Sequence, residues 1–412
     1  MASVIVVDTE LEDSIREYSQ IIDSINKTTD FSTAIKSLLP EASWNQQELS
    51  TQIKQDLNKE ILKVSTSENL KKLTDKEFEP TFYLLIHILS KLSSQDEVLN
   101  NVDSPVYSIL FETNPQQPPS LRDRRSIKST SILSILSTIF NLLPNESKTR
   151  VYVLKNVLKV IKTSGIDFSL IQDNIGSNLI NWLKESKSNE DEIKSLFWDF
   201  IELDGEYSQK SLNYIKSFTQ SNNLSKEELI KLIKCALSSK VVDVSYLVNN
   251  NVAKSLSTNQ SEPLVVIFKK YVHGEIISID QIPSDLSSQG KFINSKSKIL
   301  ALAKYFADST TTGSDHDAVV FKYNEIPNVE SSLEFEEILI EAIKSGVIEG
   351  KLNQLEETFY LTRVNRFIIA GEDNSKNWAQ VKLALEQWQN SLANINDIVK
   401  AARENIVNNN TN

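Results

Sequence analysis

The sequence predicts a mainly α-helical protein, in which a helical-repeat (α-solenoid) array ends in a winged helix and one long C-terminal helix. Three observations support this fold class. Glycine supplies only 9 of the 412 residues, well below its usual share of about 7%, and few glycines mean few tight turns. Candidate helices follow one another with short Asn- and Ser-rich links between them. Near the C-terminus an apolar heptad pattern continues over about four heptads.

The composition excludes several classes of protein. The chain carries 44 Lys and Arg against 55 Asp and Glu, a net charge of −11, which disfavours generic binding to nucleic acid or anionic membranes. Its single cysteine, Cys235, excludes an internal disulfide and a paired-cysteine zinc site. No apolar run approaches the roughly 18 residues of a membrane span, and the first residues do not resemble a signal peptide. We therefore expect a cytoplasmic protein.

In the first third of the chain, three signals mark helix starts and breaks. A capping box at residues 43–46 predicts a helix that runs to about Val64. Pro80 is expected in the first turn of the next helix, where an N–H group is not needed. The consecutive prolines within residues 114–120 predict the clearest break in the chain, a linker or long inter-helix loop.

The middle of the chain is predicted to be a succession of helices. They cover residues 121–143, 148–163, 175–185, 192–203, 206–220, 225–237 and 263–274. A second capping box, Ser225 to Glu228, opens the sixth of these helices, and Pro263 opens the last. Successive helix pairs of this length are typical of α-solenoids, although no repeated sequence motif accompanies them.

From about residue 291 the pattern changes to that of a winged helix. The predicted order is a helix (294–306), a brief strand or helix start (318–323), a helix opened by a third capping box (331–334), and a hairpin (347–352 and 358–364). The second helix is amphipathic, and Gly346 is expected to end it.

The hairpin is expected to offer an edge to a partner. An edge strand leaves backbone N–H and C=O groups unpaired, so a partner's strand can extend the sheet. We expect the second hairpin strand to supply this edge through Phe359, Tyr360, Leu361, Thr362 and Arg363.

The last helix, predicted over residues 375–407, carries the sharpest pattern in the chain. Its apolar residues recur at alternating spacings of three and four: Trp378, Val381, Leu385, Trp388, Leu392, Ile395, Val399, Ala402 and Ile406. An unbroken heptad stripe requires another helix along its length, so we interpret the first seven as a partner-binding surface. The alternative is that the stripe folds back onto the chain's own winged helix.

Charge is distributed unevenly along the chain. The helix that would enter a DNA groove carries Glu334, Glu336, Glu337 and Glu341 against only Lys344, which disfavours contact with phosphates. Residues 121–162 are instead basic. We consider Arg122, Arg124, Arg125, Lys155, Lys159 and Lys162 a candidate patch for RNA or an acidic partner, the alternative being an ordinary solvated face.

The residues of catalytic chemistry are scarce. The three histidines, His87, His273 and His316, lie far apart, and no metalloprotease, serine hydrolase or zinc-site motif is present. Residues 346–351 superficially resemble a phosphate-binding loop, but Leu352 stands where Ser or Thr would bind magnesium. We therefore predict no catalytic residue, no cofactor and no metal.

The winged-helix residues carry a family resemblance. FEEILIEAIKSGVIEGKLNQL at residues 335–355, followed by TFYLTRV at residues 358–364, resembles the PCI module in order and spacing. That module is shared by subunits of the proteasome lid, the signalosome and eukaryotic translation initiation factor 3. Within the PCI family the chain is similar to the M-subunit family of initiation factor 3. This second likeness includes residues 119–165 and the two tryptophans of NWAQVKLALEQWQNSL.

The resemblance implies a non-enzymatic scaffold subunit of initiation factor 3 that supports translation initiation on the small ribosomal subunit. PCI subunits pair through winged-helix edges, and their C-terminal helices form a bundle with those of MPN subunits, so other PCI and MPN subunits are the implied partners. Two alternatives stay open: a subunit of the proteasome lid or signalosome, and an RNA-export PCI protein that binds RNA through residues 121–162.

The same resemblance implies four regions. They are an N-terminal helical region (1–118), helical repeats with the helical part of the PCI module from about 206 (119–290), the winged helix (291–371), and the C-terminal assembly helix with a polar tail (372–412).

Overall fold

A computed structural model describes residues 10–38, 50–117, 123, 125–310, 319–327, 329, 331–367, 369–370 and 374–409. The chain forms two compact units, one ending at Gly205 and the other beginning at Glu206. Nineteen α-helices and three β-strands lie in the described ranges, which confirms the mainly α-helical prediction. None of the described helices combines the length and apolar character that a membrane span requires. The division into four regions stays a prediction.

The first unit is entirely helical over its described residues. Its helices are α1 (Leu11–Asn26), α2 (Asp30–Leu38), α3 (Thr51–Val64), α4 (Ser67–Leu70), α5 (Asp75–Leu92), α6 (Gln95–Leu99), α7 (Pro105–Thr113), α8 (Ser129–Leu142), α9 (Lys148–Ser164), α10 (Ser169–Gly176), α11 (Leu179–Glu185) and α12 (Glu190–Ile201). Chain neighbours pack on one another, as α1 does on α2 and α8 on α9. Isolated helices of this length are marginal in water, so the packing of their apolar faces stabilises them.

The second unit combines helices with one small sheet. Its elements are α13 (Gln209–Ser221), α14 (Lys226–Ser238), α15 (Asn250–Thr258), α16 (Pro263–Val272), α17 (Gly290–Ser309), β1 (Val319–Lys322), α18 (Ser332–Lys344), β2 (Ile348–Asn353), β3 (Thr358–Val364) and α19 (Ser375–Asn409). The order α17, β1, α18, β2, β3 is the winged-helix order that the sequence predicts.

Several helix boundaries confirm the local signals. The Ser225 hydroxyl accepts the Glu228 N–H while the Glu228 carboxylate accepts the Ser225 N–H, which is the predicted capping box. Pro263 is the first residue of α16. Gly346 follows the end of α18 with a φ of +71°, a left-handed conformation that glycine adopts without strain.

Other boundaries differ from the prediction. Pro80 lies inside α5 rather than in its first turn, because Thr74 and Glu77 form a capping box that begins this helix earlier. The helix predicted over 175–185 begins only at Leu179, as α11, because residues 175–176 are the end of α10. The capping box predicted at residues 43–46 lies outside the described residues. The following helix, α3, is capped by the Ser50 hydroxyl.

The helix predicted over 121–143 begins only at Ser129. Upstream of it, the Asp123 carboxylate accepts the N–H groups of Arg125 and Ser126 at 3.1 Å each, a side-chain turn that competes with helix formation. The same segment is bonded to the start of α5. The Asp75 N–H donates to the Arg125 carbonyl at 3.1 Å, and the Asp75 carboxylate accepts the Lys128 N–H at 2.9 Å.

An aromatic cluster joins α17 to the sheet of the winged helix. The Phe306 ring lies 4.5 Å from that of Phe321 in β1 and 5.4 Å from that of Phe359 in β3. Phe335 of α18 is fully buried and meets the Tyr323 ring at 4.7 Å. Aromatic residues of α17, α18, β1 and β3 therefore contribute to the buried apolar part of the winged helix.

The sheet order corrects one prediction. The strands lie in the order β1-β3-β2, so β3 is the central strand and not an edge. Its residues 358–361 pair with β1 on one side and with β2 on the other, and both pairings are antiparallel. The brief strand β1, distant in sequence from the hairpin, occupies the position that would otherwise be an edge. Among the described residues, the open edges belong to β1 and β2.

A buried lysine joins α17 to the end of α14. Lys296 is only 3% exposed, and its ammonium group donates to the carbonyl oxygens of Ala236 (3.2 Å), Leu237 (3.4 Å) and Ser239 (2.6 Å). The carbonyl groups of a last helical turn lack partners within the helix, so this side chain satisfies them. Burial lowers the pKa of Lys296 to about 7.

Gly350→Ala is expected to destabilise the winged helix by about 1–3 kcal/mol. A Cβ at this position would lie 2.5 Å from the Tyr360 carbonyl oxygen and would overlap the Phe359 ring. Thermal unfolding followed by circular dichroism measures the effect. Gly205→Ala is the matched control, because no atom lies within 4 Å of its added Cβ. Equal melting temperatures for the two variants would contradict this packing.

Lys296→Met is expected to lower the free energy of unfolding by about 1–3 kcal/mol, since it leaves buried carbonyl groups without donors. The loss should grow as the pH rises from about 7 toward 10. The pKa of Lys296 is lower in the folded chain than in the unfolded chain, so the unfolded chain binds more protons in this range and wild-type stability increases with pH. Urea unfolding of both proteins at pH 7 and pH 9 tests this. A difference that stays the same at pH 7 and pH 9 would show that the pKa of Lys296 is not lowered and that the lysine stays charged.

Candidate interaction surfaces

The C-terminal helix α19 presents the predicted apolar stripe to solvent. Its 35 residues correspond to a length of about 52 Å. The stripe consists of Trp378, Val381, Leu385, Trp388, Leu392, Ile395 and Val399, whose exposed fractions run from 39% to 65%. In the structure of the single chain the stripe therefore does not pack on the winged helix. An uncovered apolar surface of this length marks an interaction site or an aggregation hazard.

The heptad pattern missed two further apolar residues of α19. Leu383 is 56% exposed and Ile398 is 68% exposed, and both lie off the stripe. A helical-wheel projection of all apolar residues, rather than a search for the heptad alone, would have found them. The helix also has a polar side, where Lys382 and Glu386 form an ion pair at 3.8 Å. Apolar side chains on more than one side suit a helix that contacts several neighbours in a bundle.

The five hairpin residues expected at a sheet edge have different environments. Phe359 and Leu361 are buried in the core and Tyr360 is half-buried, whereas Thr362 and Arg363 are exposed. Arg363 forms an ion pair with Glu349 of β2 at 2.9 Å. Over residues 358–361 the backbone of β3 is already paired on both sides, so a partner strand would have to join β1 or β2.

The α18 surface is acidic, as the sequence predicts. Glu336 bonds to other residues of the winged helix: it accepts from the Tyr323 hydroxyl at 3.1 Å and from the Gln354 side chain at 2.8 Å. Burial and the neighbouring Glu336 raise the pKa of Tyr323 to about 12. Glu337 and Glu341 are exposed. Carboxylates on this helix would repel a phosphate backbone, so the surface is unsuited to groove binding.

Only part of the predicted basic patch lies within the described residues. Lys155, Lys159 and Lys162 are exposed on α9, and Arg125 is exposed before α8. Arg122 and Arg124 lie outside the described residues.

Arg150, which adds to the positive charge of the same stretch, has a structural role. It is 7% exposed, and its guanidinium lies 4.1 Å from the centre of the Phe140 ring. It also bonds to the Asn145 side chain and lies 3.9 Å from Glu185. It joins α9 to neighbouring segments of the first unit and does not belong to the exposed basic face.

The histidines and the glycine-rich segment have structural explanations. Burial and the neighbouring Lys91 lower the pKa of His87. The His273 Nδ1 atom forms a hydrogen bond of 2.6 Å with the Lys269 carbonyl. His316 lies outside the described residues. Residues 346–351 form the end of α18 and the start of β2, so they do not form a phosphate-binding loop.

Comparison with known proteins shows similarity along nearly the whole chain. The sequence is 26% identical to a protein of Aspergillus terreus named eukaryotic translation initiation factor 3 subunit M, over 98% of this chain and 89% of the relative. Relatives with the same name are 25% identical in Emericella nidulans, over 98% and 91% of the two chains, and 24% identical in Phaeosphaeria nodorum, over 98% and 89%. No family model matches the chain. The resemblance to the M-subunit family is confirmed, and the PCI module is consistent with it.

Reversing the charge of Lys155, Lys159 and Lys162 to Glu is expected to leave the melting temperature nearly unchanged, because exposed substitutions usually cost within about 0.5 kcal/mol each. If the face contacts RNA or an acidic protein, the same variant should lose salt-sensitive binding of that partner. Differential scanning calorimetry and binding at two salt concentrations measure the two effects. Arg150→Met is the contrasting variant, since it should lower stability instead. A large loss of stability in the triple variant would make the lysine face structural.

Proposed function

Because the chain is homologous over nearly its full length to eukaryotic translation initiation factor 3 subunit M, we propose that it is a non-enzymatic scaffold subunit of that complex. The observation that carries the proposal is the extent of the similarity, which covers 97–98% of the chain in each of eight relatives that bear this name. Similarity confined to the winged helix would fit any PCI protein. Here it extends through both compact units, which favours initiation factor 3 over the proteasome lid or the signalosome.

The exposed stripe of α19 supports the scaffold role. Burying a large apolar side chain contributes roughly 1.5–3 kcal/mol before ordering costs, so a few positions dominate a helix contact. Trp378 and Trp388 are the largest of them and are 61% and 65% exposed in the single chain. The partners that fit are long helices with their own apolar stripes, such as those of other PCI and MPN subunits.

The winged helix offers a second contact. The β1 and β2 edges are each paired on one side only, so another PCI subunit can extend the sheet through main-chain hydrogen bonds. We therefore propose β1 and β2, the strands that flank β3, as the partner surface. They take the place of the surface that the sequence predicted on β3, which consists of Phe359, Tyr360, Leu361, Thr362 and Arg363. Contact with the small ribosomal subunit follows through the assembled complex, in the cytoplasm.

A direct RNA contact is a second candidate role for the first unit. The exposed face of Lys155, Lys159 and Lys162 favours it, because three ammonium groups on one helix can neutralise phosphates in an otherwise acidic chain. This contact is compatible with the scaffold role.

Changing Leu385 and Trp388 of α19 to Ala should release the chain from the complex while leaving its own fold intact. Both side chains are more than half exposed, so their removal creates no cavity. We expect the tagged wild-type chain to co-purify with initiation factor 3 subunits and small-subunit ribosomal proteins, and the double variant to lose both. Circular dichroism should show little change in helical content.

The control removes exposed apolar residues elsewhere. Leu142 is 51% exposed at the end of α8 and Leu170 is 70% exposed in α10. Changing both to Ala should preserve co-purification. If the α19 variant still co-purifies, or unfolds, the stripe is not an assembly surface. Co-purification of the wild-type chain with proteasome or cullin components would overturn the proposal itself.

A further inference from the structure

A cleft of about 300 Å³ opens between α15 and α16 in the second unit. Its floor is apolar and well packed, because Val248, Leu256, Phe268 and Val272 are each 5% exposed or less. The lining side of α15 carries residues 250, 253, 254 and 257, which are spaced i, i+3, i+4 and i+7 along one helix face. The cleft is thus formed by the facing sides of two helices.

The rim of the cleft is basic. Lys254 of α15, Lys269 of α16 and His273 at the end of α16 line it, and none of the described lining residues is Asp or Glu. This charge is opposite to that of the whole chain, which is −11. A low-dielectric floor under like charges focuses their field, so the cleft attracts negative groups.

Hydrogen bonds orient one residue of the rim, His273. The His273 ring is oriented by its bond to the Lys269 carbonyl at 2.6 Å, one turn earlier in α16. The His273 carbonyl in turn accepts the Lys304 ammonium of α17 at 2.6 Å. A rim residue oriented before binding loses less entropy when a ligand arrives.

We propose that this cleft binds a short segment of a partner protein in which a large apolar side chain is flanked by Asp or Glu. The apolar floor accepts the side chain, and the carboxylates pair with Lys254 and Lys269. A volume of about 300 Å³ lies at the small end of binding pockets, so the cleft suits one or two side chains rather than a folded element. A nucleotide fits less well, because the Phe268 ring is 0% exposed and has no free face on which a base could stack.

The cleft lies next to the start of α19, the proposed assembly helix. Ile369 and Ala370 form its third wall, and the Asn374 side chain donates to the Ile369 carbonyl at 2.8 Å. The next residue, Ser375, begins α19. A segment bound in the cleft would therefore lie beside the root of α19; this step alone rests on the proposed function.

The test replaces Ser257, an exposed residue of the rim, with the photo-crosslinker p-benzoylphenylalanine in the full chain expressed in cells. After irradiation and purification, mass spectrometry identifies the cross-linked peptide. We expect a segment of another protein with a large apolar residue and at least two neighbouring carboxylates.

Two variants of the cleft separate charge from shape. Lys254→Glu with Lys269→Glu should reduce the yield of this cross-link about tenfold or more, since opposite charges become like charges. Ala253→Trp should reduce it similarly by filling the cleft without changing its charge. If the charge reversal lowers the melting temperature, the double variant Lys254→Gln with Lys269→Gln is used instead, because it removes the two positive charges without adding negative ones.

The control, Lys59→Glu on α3 with Lys71→Glu at the end of α4, makes the same change in net charge at two exposed lysines of the other unit and should leave the yield unchanged. Cross-links to a basic segment, to RNA, or only within this chain would overturn the proposal. An equal loss in the Lys59 and Lys71 control would also overturn it, because the attraction would then be nonspecific. Since the readout is the chemistry of the bound segment, it does not depend on whether the partner belongs to initiation factor 3.

Discussion

Most helices of this protein are too short to be stable alone, and each must bury its apolar side against a neighbour. A helix of about three turns gains little from hydrogen bonding in water, so its stability comes from packing. The pairs α1 with α2, α5 with α8, and α14 with α16 show how this requirement is met, either between consecutive helices or between helices separated by one or two others. Each unit is consequently a set of local contacts, and few glycines are needed for the links.

This type of packing leaves helix ends near the core. The unpaired backbone N–H and C=O groups of these ends must then form hydrogen bonds with polar side chains. Lys296 does so for the end of α14, and Asp75 links the start of α5 to the segment before α8. Tyr18 gives a third example, because its hydroxyl is fully buried and bonds to Ser65 at 2.6 Å. Buried polar groups of this kind are costly unless paired, so they specify which helices meet.

Against that background, α19 is unusual among the described helices. Its large apolar residues remain in solvent. The same physical rule that forces the other helices together therefore predicts a covering partner for this one. The basic cleft beside α16 is a different kind of surface, with an apolar floor under positive charge. Together with the edges of β1 and β2, these are the three surfaces of the second unit that we propose for contact with partners.

The sequence by itself determined the features that depend on near neighbours along the chain. The Ser225 capping box, the Pro263 helix start, the Gly346 helix end and the hairpin strands are all where local signals placed them. The heptad stripe of α19 also followed from spacing alone. These features are readable because capping, proline and glycine effects act within about four residues.

Tertiary structure decided what distant residues do to one another. The position of β3 between β1 and β2 depends on pairing across more than 35 residues, as in the register of Val320 with Tyr360, so the hairpin sequence could not reveal it. Arg150 is buried because Phe140 and Asn145 lie against it, although its sequence neighbours suggested an exposed basic face. The basic cleft combines α15, α16 and residues 369–370, whose charges have no pattern along the chain. Burial and charge clustering are properties of space, and only the folded chain brings these groups together.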